Sequence, residues 1–448
     1  MAKFTVFPKD TGVNPWFETA SNKNAAFDDH KNINDEYDYV IVGAGFGGVT
    51  AAYRLSHNDP KAKIAIFDAL KVGTFSSGRN AGFLHISQIT TSLVGFDRFT
   101  LDDQRILNKL NAIVTKRITD IIDENKLQLD FSWDGMYHAV REKRNEQALK
   151  SLSEAYDKVG IKYSWVKGEE LCRRLGTDFY TEAIFTEDCA LDNPAELIRG
   201  LALALPDNVS VFEECPVAEV KEGASPYVVL KDGHKVKAKK IILTVNAFIK
   251  NSGFGGRDIG NVSAIQSFGA MTRELNEEEL KDFAGVKSWG VVATHPAGAT
   301  VRFTSKNRIF VRTDIAYAPS NGLNIPEKRF EQAKPLLRNA FEKRFPKLTH
   351  VPFEYEYGGL IAFTGNTVPL FGEIAENIYA GTTSDGSGVT RASILGNYLA
   401  DLIQGVESEE LNYIKEKYHP GYLPPEIIRT PGAEAALWWK NVKAGSEL

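Results

Sequence analysis

Residues Tyr37 to Asp68 read YDYVIVGAGFGGVTAAYRLSHNDPKAKIAIFD, and this stretch decides the fold. Tyr39 to Val42 is a short apolar, β-branched run of the kind that forms a buried parallel strand. Gly43, Gly45 and Gly48 follow it at G-x-G-x-x-G spacing. The first glycine permits a tight turn, the second lets backbone approach a pyrophosphate, and the third seats a helix, expected over 49–56, against the strand. Such a helix aims free N–H groups and the positive end of its dipole at phosphate. A second strand over 64–67 ends at Asp68, where a carboxylate can accept from ribose hydroxyls. A glycine fingerprint alone also occurs in ordinary strand-to-helix turns. Strand, helix, second strand and terminal acid in register point to a dinucleotide site.

At 448 residues the chain is too long for one ordinary core, so two domains are expected. Hydrophobic content of 43% and charged content of 25% are those of a globular protein, and a net charge of −5 leaves no basic footprint for nucleic acid. Cys172, Cys189 and Cys215 are odd in number and form no C-x-x-C, which argues against a disulfide framework and a structural zinc site. Reduced thiols, no metal and a cytoplasmic location are expected. The segment MAKFTVFPKDTGVNPW lacks the apolar core of a signal peptide, and no run approaches the roughly 18 apolar residues of a span.

Residues 1–36 are polar and turn-rich, an arm that Pro15, Trp16 and Phe17 would pin to the body. The loop 73–82, GTFSSGRNAG, is too long for a simple connection. Helical periodicity predicts helices over 101–124, 145–159 and 168–175, while 131–140 alternates like one strand with a turn or bulge at Asp134-Gly135. Asn193-Pro194 starts a helix over 195–205. Strands are expected over 209–212, 227–230, 235–238 and 239–245, with others over 265–273, 291–294, 300–304 and 309–313. A helix over 327–345 stops at Pro346. Near the end, a strand over 378–382 meets Ser384-Asp385-Gly386-Ser387-Gly388 and a helix over 389–403. The first and last units belong to one parallel sheet and the antiparallel segments between them to another layer, an α/β architecture.

YDYVIVGAGFGGVTAAYRLS, SSGRNAG, LDNPAELIRGLA, the strand ending in TVNAF, YGGLIAFTGNTVPLFG and NIYAGTTSDGSGVTRASILGNYLADLI together resemble the FAD-dependent glycine oxidase, sarcosine oxidase and D-amino-acid oxidase family. SSGRNAG, NPWFETAS and YLPPE at Tyr422 to Glu426 resemble its γ-glutamylputrescine oxidoreductase branch most. The resemblance implies a Rossmann-like FAD-binding domain assembled from 37–97, 183–262 and 355–405. It implies a substrate domain, mostly antiparallel sheet plus helices, from 98–182 and 263–354, with a C-terminal extension over 406–448.

The resemblance also implies roles. Gly43, Gly45, Phe46, Gly47, Gly48, Asp68 and Ala69 would hold the ADP half of FAD. Ser76, Ser77, Arg79, Asn80, Ala81 and Gly82 would line the pyrophosphate-to-flavin stretch, with Arg79 offsetting phosphate charge or lying near the ring. Val217 would meet the adenine side through backbone, and Asn246 and Ala247 would lie over the phosphates. Gly359 and the loop Gly386, Ser387, Gly388, Val389 and Thr390 would sit at the flavin, where a helix N-terminus suits the negative charge of a reduced ring. The chain departs from the family pattern in Asp68, where glutamate is common, and in Asn366, where an acid is common. No cysteine follows Cys215, so a cysteine linkage to flavin is excluded, while attachment through a histidine such as His85 stays open.

The implied reaction is oxidation of a C–H next to an amine nitrogen in a small amine or amino acid. Hydride passes to flavin N5, the imine hydrolyses, and oxygen, or alternatively a quinone, takes the electrons. Arg302 resembles the strand arginine that pairs a substrate carboxylate in amino-acid oxidases, and alternation sets Thr300, Arg302 and Thr304 on the face opposite Val301 and Phe303. His85 and Tyr357 would face the ring, with Tyr137 and His138 as further candidates. Two other readings stand beside this one. A nicotinamide-dependent dehydrogenase shares the first fingerprint but does not explain the C-terminal glycine loop. A non-catalytic flavin-binding or membrane-docking protein is suggested by Leu437, Trp438 and Trp439 beside Lys440 and Lys443, although packing of these tryptophans on the body or in a subunit contact is the preferred account.

Overall fold

The computed structural model describes residues 1–89, 99–295, 297–382 and 386–448. Ser384 and Asp385 of the C-terminal glycine loop, and 90–97 of the first segment, lie outside them. The Tyr39–Val42 run belongs to a strand, Glu36–Val42, paired in parallel with Ile64–Phe67 on one edge and Lys235–Leu243 on the other. Val209–Phe212 extends the parallel set beyond Ile64–Phe67, and Ile378–Thr382 pairs in parallel with the end of Lys235–Leu243. Where both faces are covered these strands run apolar, as in Ile64–Phe67 and in residues 40–42 and 241–243. Antiparallel strands Val217–Lys221, Tyr227–Leu230 and Ala2–Lys3 complete one edge of this nine-stranded sheet.

Two helices meet on it through glycine. Phe46–Asn58 begins inside the fingerprint, earlier than the periodicity predicts, because Gly47 and Gly48 form its first turn with Gly45 as cap. A side chain at Gly48 would overlap the Gly43 carbonyl, and one at Gly396 would overlap the Gly47 carbonyl. Gly396 lies in the second helix, Gly388–Gln404, which therefore crosses the first at very short range. Leu55, Ile64, Ile66, Leu197 and Leu399 fill the space around them, each burial contributing about 1.5–3 kcal/mol.

The second layer is an eight-stranded sheet in the order Phe353–Thr364, Val262–Thr272, Ile309–Ala318, Thr300–Phe303, Trp289–Ala293, Met136–Val140, Glu182–Thr186 and Ser164–Lys167. All its pairings are antiparallel except that between Trp289–Ala293 and Met136–Val140. Residues 182–186 and 353–364, which sequence groups mostly with the cofactor segments, thus pair here. The single strand expected over 131–140 is two. Gly135, at φ +73, breaks it, sending Phe131–Ser132 to a small sheet with Cys189–Asp192 and Phe83–His85. The 406–448 stretch carries helices at Glu409–Lys417 and Glu426–Ala444. Asn366, where the family pattern has an acid, ties this extension down by accepting from the Gly421 N–H at 2.8 Å.

Candidate active site

The N-terminal ends of both glycine-faced helices open onto one cavity of about 980 Å3, walled on its other side by the eight-stranded sheet. That volume is near the top of the range of about 300–1,000 Å3 for ligand pockets. Gly43, Gly45, Phe46, Gly47, Asp68, Ala69, Ser76, Ser77, Arg79, Asn80, Ala81, Val217, Asn246, Gly359, Gly386, Ser387, Gly388 and Val389 all line it. Gly48, Gly82, Ala247 and Thr390 lie behind the wall. Gly82, at φ +68, packs on the Asp192 carbonyl, and Gly48 on Gly43.

The wall suits a phosphorylated, extended ligand. A Cβ on Gly45 would come within 2.6 Å of Ser77 Oγ, so only glycine keeps this approach open. Thr382 and Thr390, beside the Gly388–Gln404 N-terminus, keep buried hydroxyls without a partner among the described residues. Asn246, itself at φ +51, donates from Nδ2 to Ser76 Oγ at 2.9 Å and holds the loop in place. Asp68 accepts from the Ala44 N–H at 2.7 Å and the Leu70 N–H at 2.9 Å, so it braces the fingerprint turn as well as facing the cavity. Burial pushes its carboxyl up, and those two N–H groups oppose the shift.

Three expectations need correction. Arg79 turns its guanidinium away from the cavity, donating to the carbonyls of Thr74, Thr11 and Gly358 and pairing Asp10 at 2.7 Å, so it locks the arm to the loop. Arg302 is 2% exposed and absent from the wall. Its Nη1 donates to the carbonyls of Ala81, Gly82 and Asp192, and its guanidinium stacks on Trp16 and Phe83. The Asp192 carboxylate beneath it has no hydrogen-bond partner among the described residues, and burial pushes it up to about 7, opposed by the Arg302 charge. Tyr357 reaches the wall, but its hydroxyl donates to the Arg79 carbonyl at 2.9 Å, which makes it a brace.

The cation that sequence reasoning missed is Arg312. Thr300 and Arg312 are register partners, both on the cavity wall, and Arg312 Nη2 donates to Thr300 Oγ1 at 2.9 Å. Among the described residues no carboxylate pairs it. Burial holds its pKa below the usual guanidinium value, yet arginine stays charged. Arg302 shares the face of Thr300 one repeat further along, where Trp16 and the 81–82 backbone have filled the space. Val301-Arg302 and Val311-Arg312 are the same dipeptide on adjacent strands, so the signal was present and only register separates them.

His85 and His138 complete this part of the wall. Burial pulls both imidazoles down to about 4, and His138 adds to the shift at His85, so both are neutral at pH 7. His85 Nδ1 has no partner among the described residues. Tyr137, on the opposite face of the strand, lies instead against a shallow depression with Arg173 and Arg174. Phe4, Val6, Phe7 and Pro8 of the arm, and Ala148, Ser151 and Leu152 of the Glu146–Val159 helix, are further lining residues that sequence did not indicate.

The fold is that of known flavoenzymes. Glycine oxidase from Geobacillus kaustophilus superposes with a TM-score of 0.69 at 15% identity, over 84% of this chain and 96% of that one. Iminodiacetate oxidase from Chelativorans sp. BNC1 gives 0.66 at 16% identity, over 85% and 98%. In sequence, a probable oxidoreductase, OrdL, from Haemophilus influenzae is 25% identical over 406 residues, 88% of each chain. Residues 38–402 match the family described as FAD dependent oxidoreductase, a span that takes in most of both sheets and all of the cavity wall except the part laid down by the N-terminal arm, and the chain belongs to that family, with FAD as its cofactor.

Proposed function

We propose that this protein oxidises a small amine or amino acid that carries a carboxylate, with oxygen as the electron acceptor. The observation that carries the reading is Arg312, a buried guanidinium with donor capacity left over on a cavity wall that also carries two neutral imidazoles. FAD, when bound between the two helix N-termini, supplies the two-electron acceptor for the C–H next to nitrogen. Arg312 would grip the substrate carboxylate with two parallel N–H donors and so fix the reacting carbon. His85 and His138, uncharged, would add no further positive charge near the amine nitrogen. Ile89, Met136, Leu152, Val292 and Ile315 make the surrounding wall apolar, which excludes water while the imine forms. Two electrons and two protons leave the C–N unit; oxygen takes both as hydrogen peroxide, and water converts the imine to a carbonyl compound and an amine. Glycine oxidase and iminodiacetate oxidase among the structural neighbours support an amine substrate. A cytoplasmic location fits the three free thiols. The test is a panel of amines with and without a carboxylate, reading peroxide and dye reduction together. Peroxide from carboxylate-bearing amines is the expected result, and dye reduction without peroxide would replace oxygen by a quinone-type acceptor.

A further inference from the structure

Sequence favours packing of Trp438 and Trp439 on the body or in a subunit contact, and the structure overturns the first: they are 63% and 52% exposed, while Leu437 beside them is buried. The Glu426–Ala444 helix turns Arg429, Leu437 and Ala444 inward. At about 100° per residue, Ile427, Ile428, Ala435, Trp438, Trp439 and Val442 fall within an outward arc of roughly 120° that contains no charged residue. Ile427 is 85% exposed and Ile428 62%. This helix is therefore apolar on both sides, and only its inner side is covered by this chain.

We propose that this outer face docks on an anionic lipid bilayer. Charge chooses the occupant. Lys443 borders the apolar arc and lies over the Trp439 ring at 5.1 Å. The charges of Lys440, Arg144 and Glu447 reach His295 as that of Lys443 does, and Arg144 pairs with Glu142 at 2.8 Å, so this end of the helix carries acids as well as cations. Lys443 over paired tryptophans matches a headgroup region, where indole rings sit at the interface and a lysine stem reaches up to anionic lipid. A second copy of this face would offer Lys443 one acid, Glu434, at the opposite edge of the arc. The chain's net charge of −5 gives no general attraction to such a surface, so binding is confined to this face. No helix among the described residues is long and apolar enough to cross a membrane, and the docked helix lies in the interface plane. His295 and Gly298 are also cavity wall, so docking brings lipid close to the substrate end of the cavity.

Flotation of the full-length holoprotein tests this, with vesicles of phosphatidylcholine alone and with about a quarter phosphatidylglycerol. The protein should float with the anionic vesicles, less at high salt, and Trp438→Ser with Trp439→Ser should lower the partition coefficient about tenfold or more. Both indoles are exposed, so flavin content and Tm should stay unchanged in the variant. Absence of flotation with anionic vesicles at low salt overturns the proposal. So does a dimer in light scattering that the double variant converts to monomer, because a second copy then covers the face.

Discussion

Arg312 has Thr300 as its hydrogen-bond acceptor and further N–H donors on a buried wall, so its worth to a substrate is measurable. Arg312→Met should cost about 2 to 4 kcal/mol in transition-state binding, roughly 30-fold to 1000-fold in kcat/KM, for amines that carry a carboxylate, and should largely spare simple amines. Arg302→Met should instead lower Tm and flavin retention, because three carbonyls lose their donor. Equal loss for both substrate classes in Arg312→Met, with FAD retained, would contradict the carboxylate grip. The imidazoles give a pH prediction. Each falls from 6.5 to about 4 on folding, so the folded chain binds fewer protons between those values. Stability is then full above pH 6.5 and lost as pH falls toward 4, by up to about 1.4 kcal/mol per pH unit per ring. Denaturant midpoints across this window should fall less steeply in His138→Gln; an unchanged slope would show that the ring is hydrated. At this scale sequence was informative for glycines and poor for arginines. A glycine's role follows from backbone geometry that spacing encodes, whereas Arg79, Arg302 and Arg312 differ only in what tertiary neighbours occupy the space above them.

The crossing of the Phe46–Asn58 and Gly388–Gln404 helices sets where two positive dipole ends point, and it rests on Gly47 and Gly396. Gly396→Ala would drive a methyl into the Gly47 carbonyl and to 2.5 Å from Thr50 Oγ1, so it should cost about 1–3 kcal/mol in stability and weaken FAD retention without touching the cavity wall. FAD titration of the apoprotein checks this, and wild-type affinity would mean the helices separate freely. Asp68→Asn should weaken FAD retention and also lower Tm, since an amide cannot accept from both Ala44 and Leu70 as the carboxylate does. Elements with strong period were legible to the residue, such as Ile64–Phe67 and Leu101–Glu124. Glu426–Ala444 was not: it holds Pro431 inside it, and tertiary packing of Leu437 and Ala444 overrides that local signal.

In the whole molecule, one mixed sheet with a parallel centre and one mostly antiparallel sheet close on a shared cavity, and the N-terminal arm seals part of it. The arm adds the Ala2–Lys3 strand beside Val217–Lys221, lays Phe4 to Pro8 on the wall, and anchors through Trp16, which packs on Phe310 at 5.1 Å. Sequence showed the Trp16 anchor but not the cavity-lining part, because alternating short apolar residues between turns carry no period long enough to read. Removing residues 1–9 should leave the fold intact and speed flavin release about tenfold or more, as followed by flavin fluorescence on dilution. The central claim, that the cavity holds FAD against a carboxylate-bearing amine, is tested most directly by the absorbance of the purified flavoprotein under anaerobic conditions. Carboxylate-bearing amines should bleach the bound flavin, 2-hydroxy acids and NADPH should not, and air should restore the colour with peroxide formed. Bleaching by NADPH or a 2-hydroxy acid with every amine inert would contradict it.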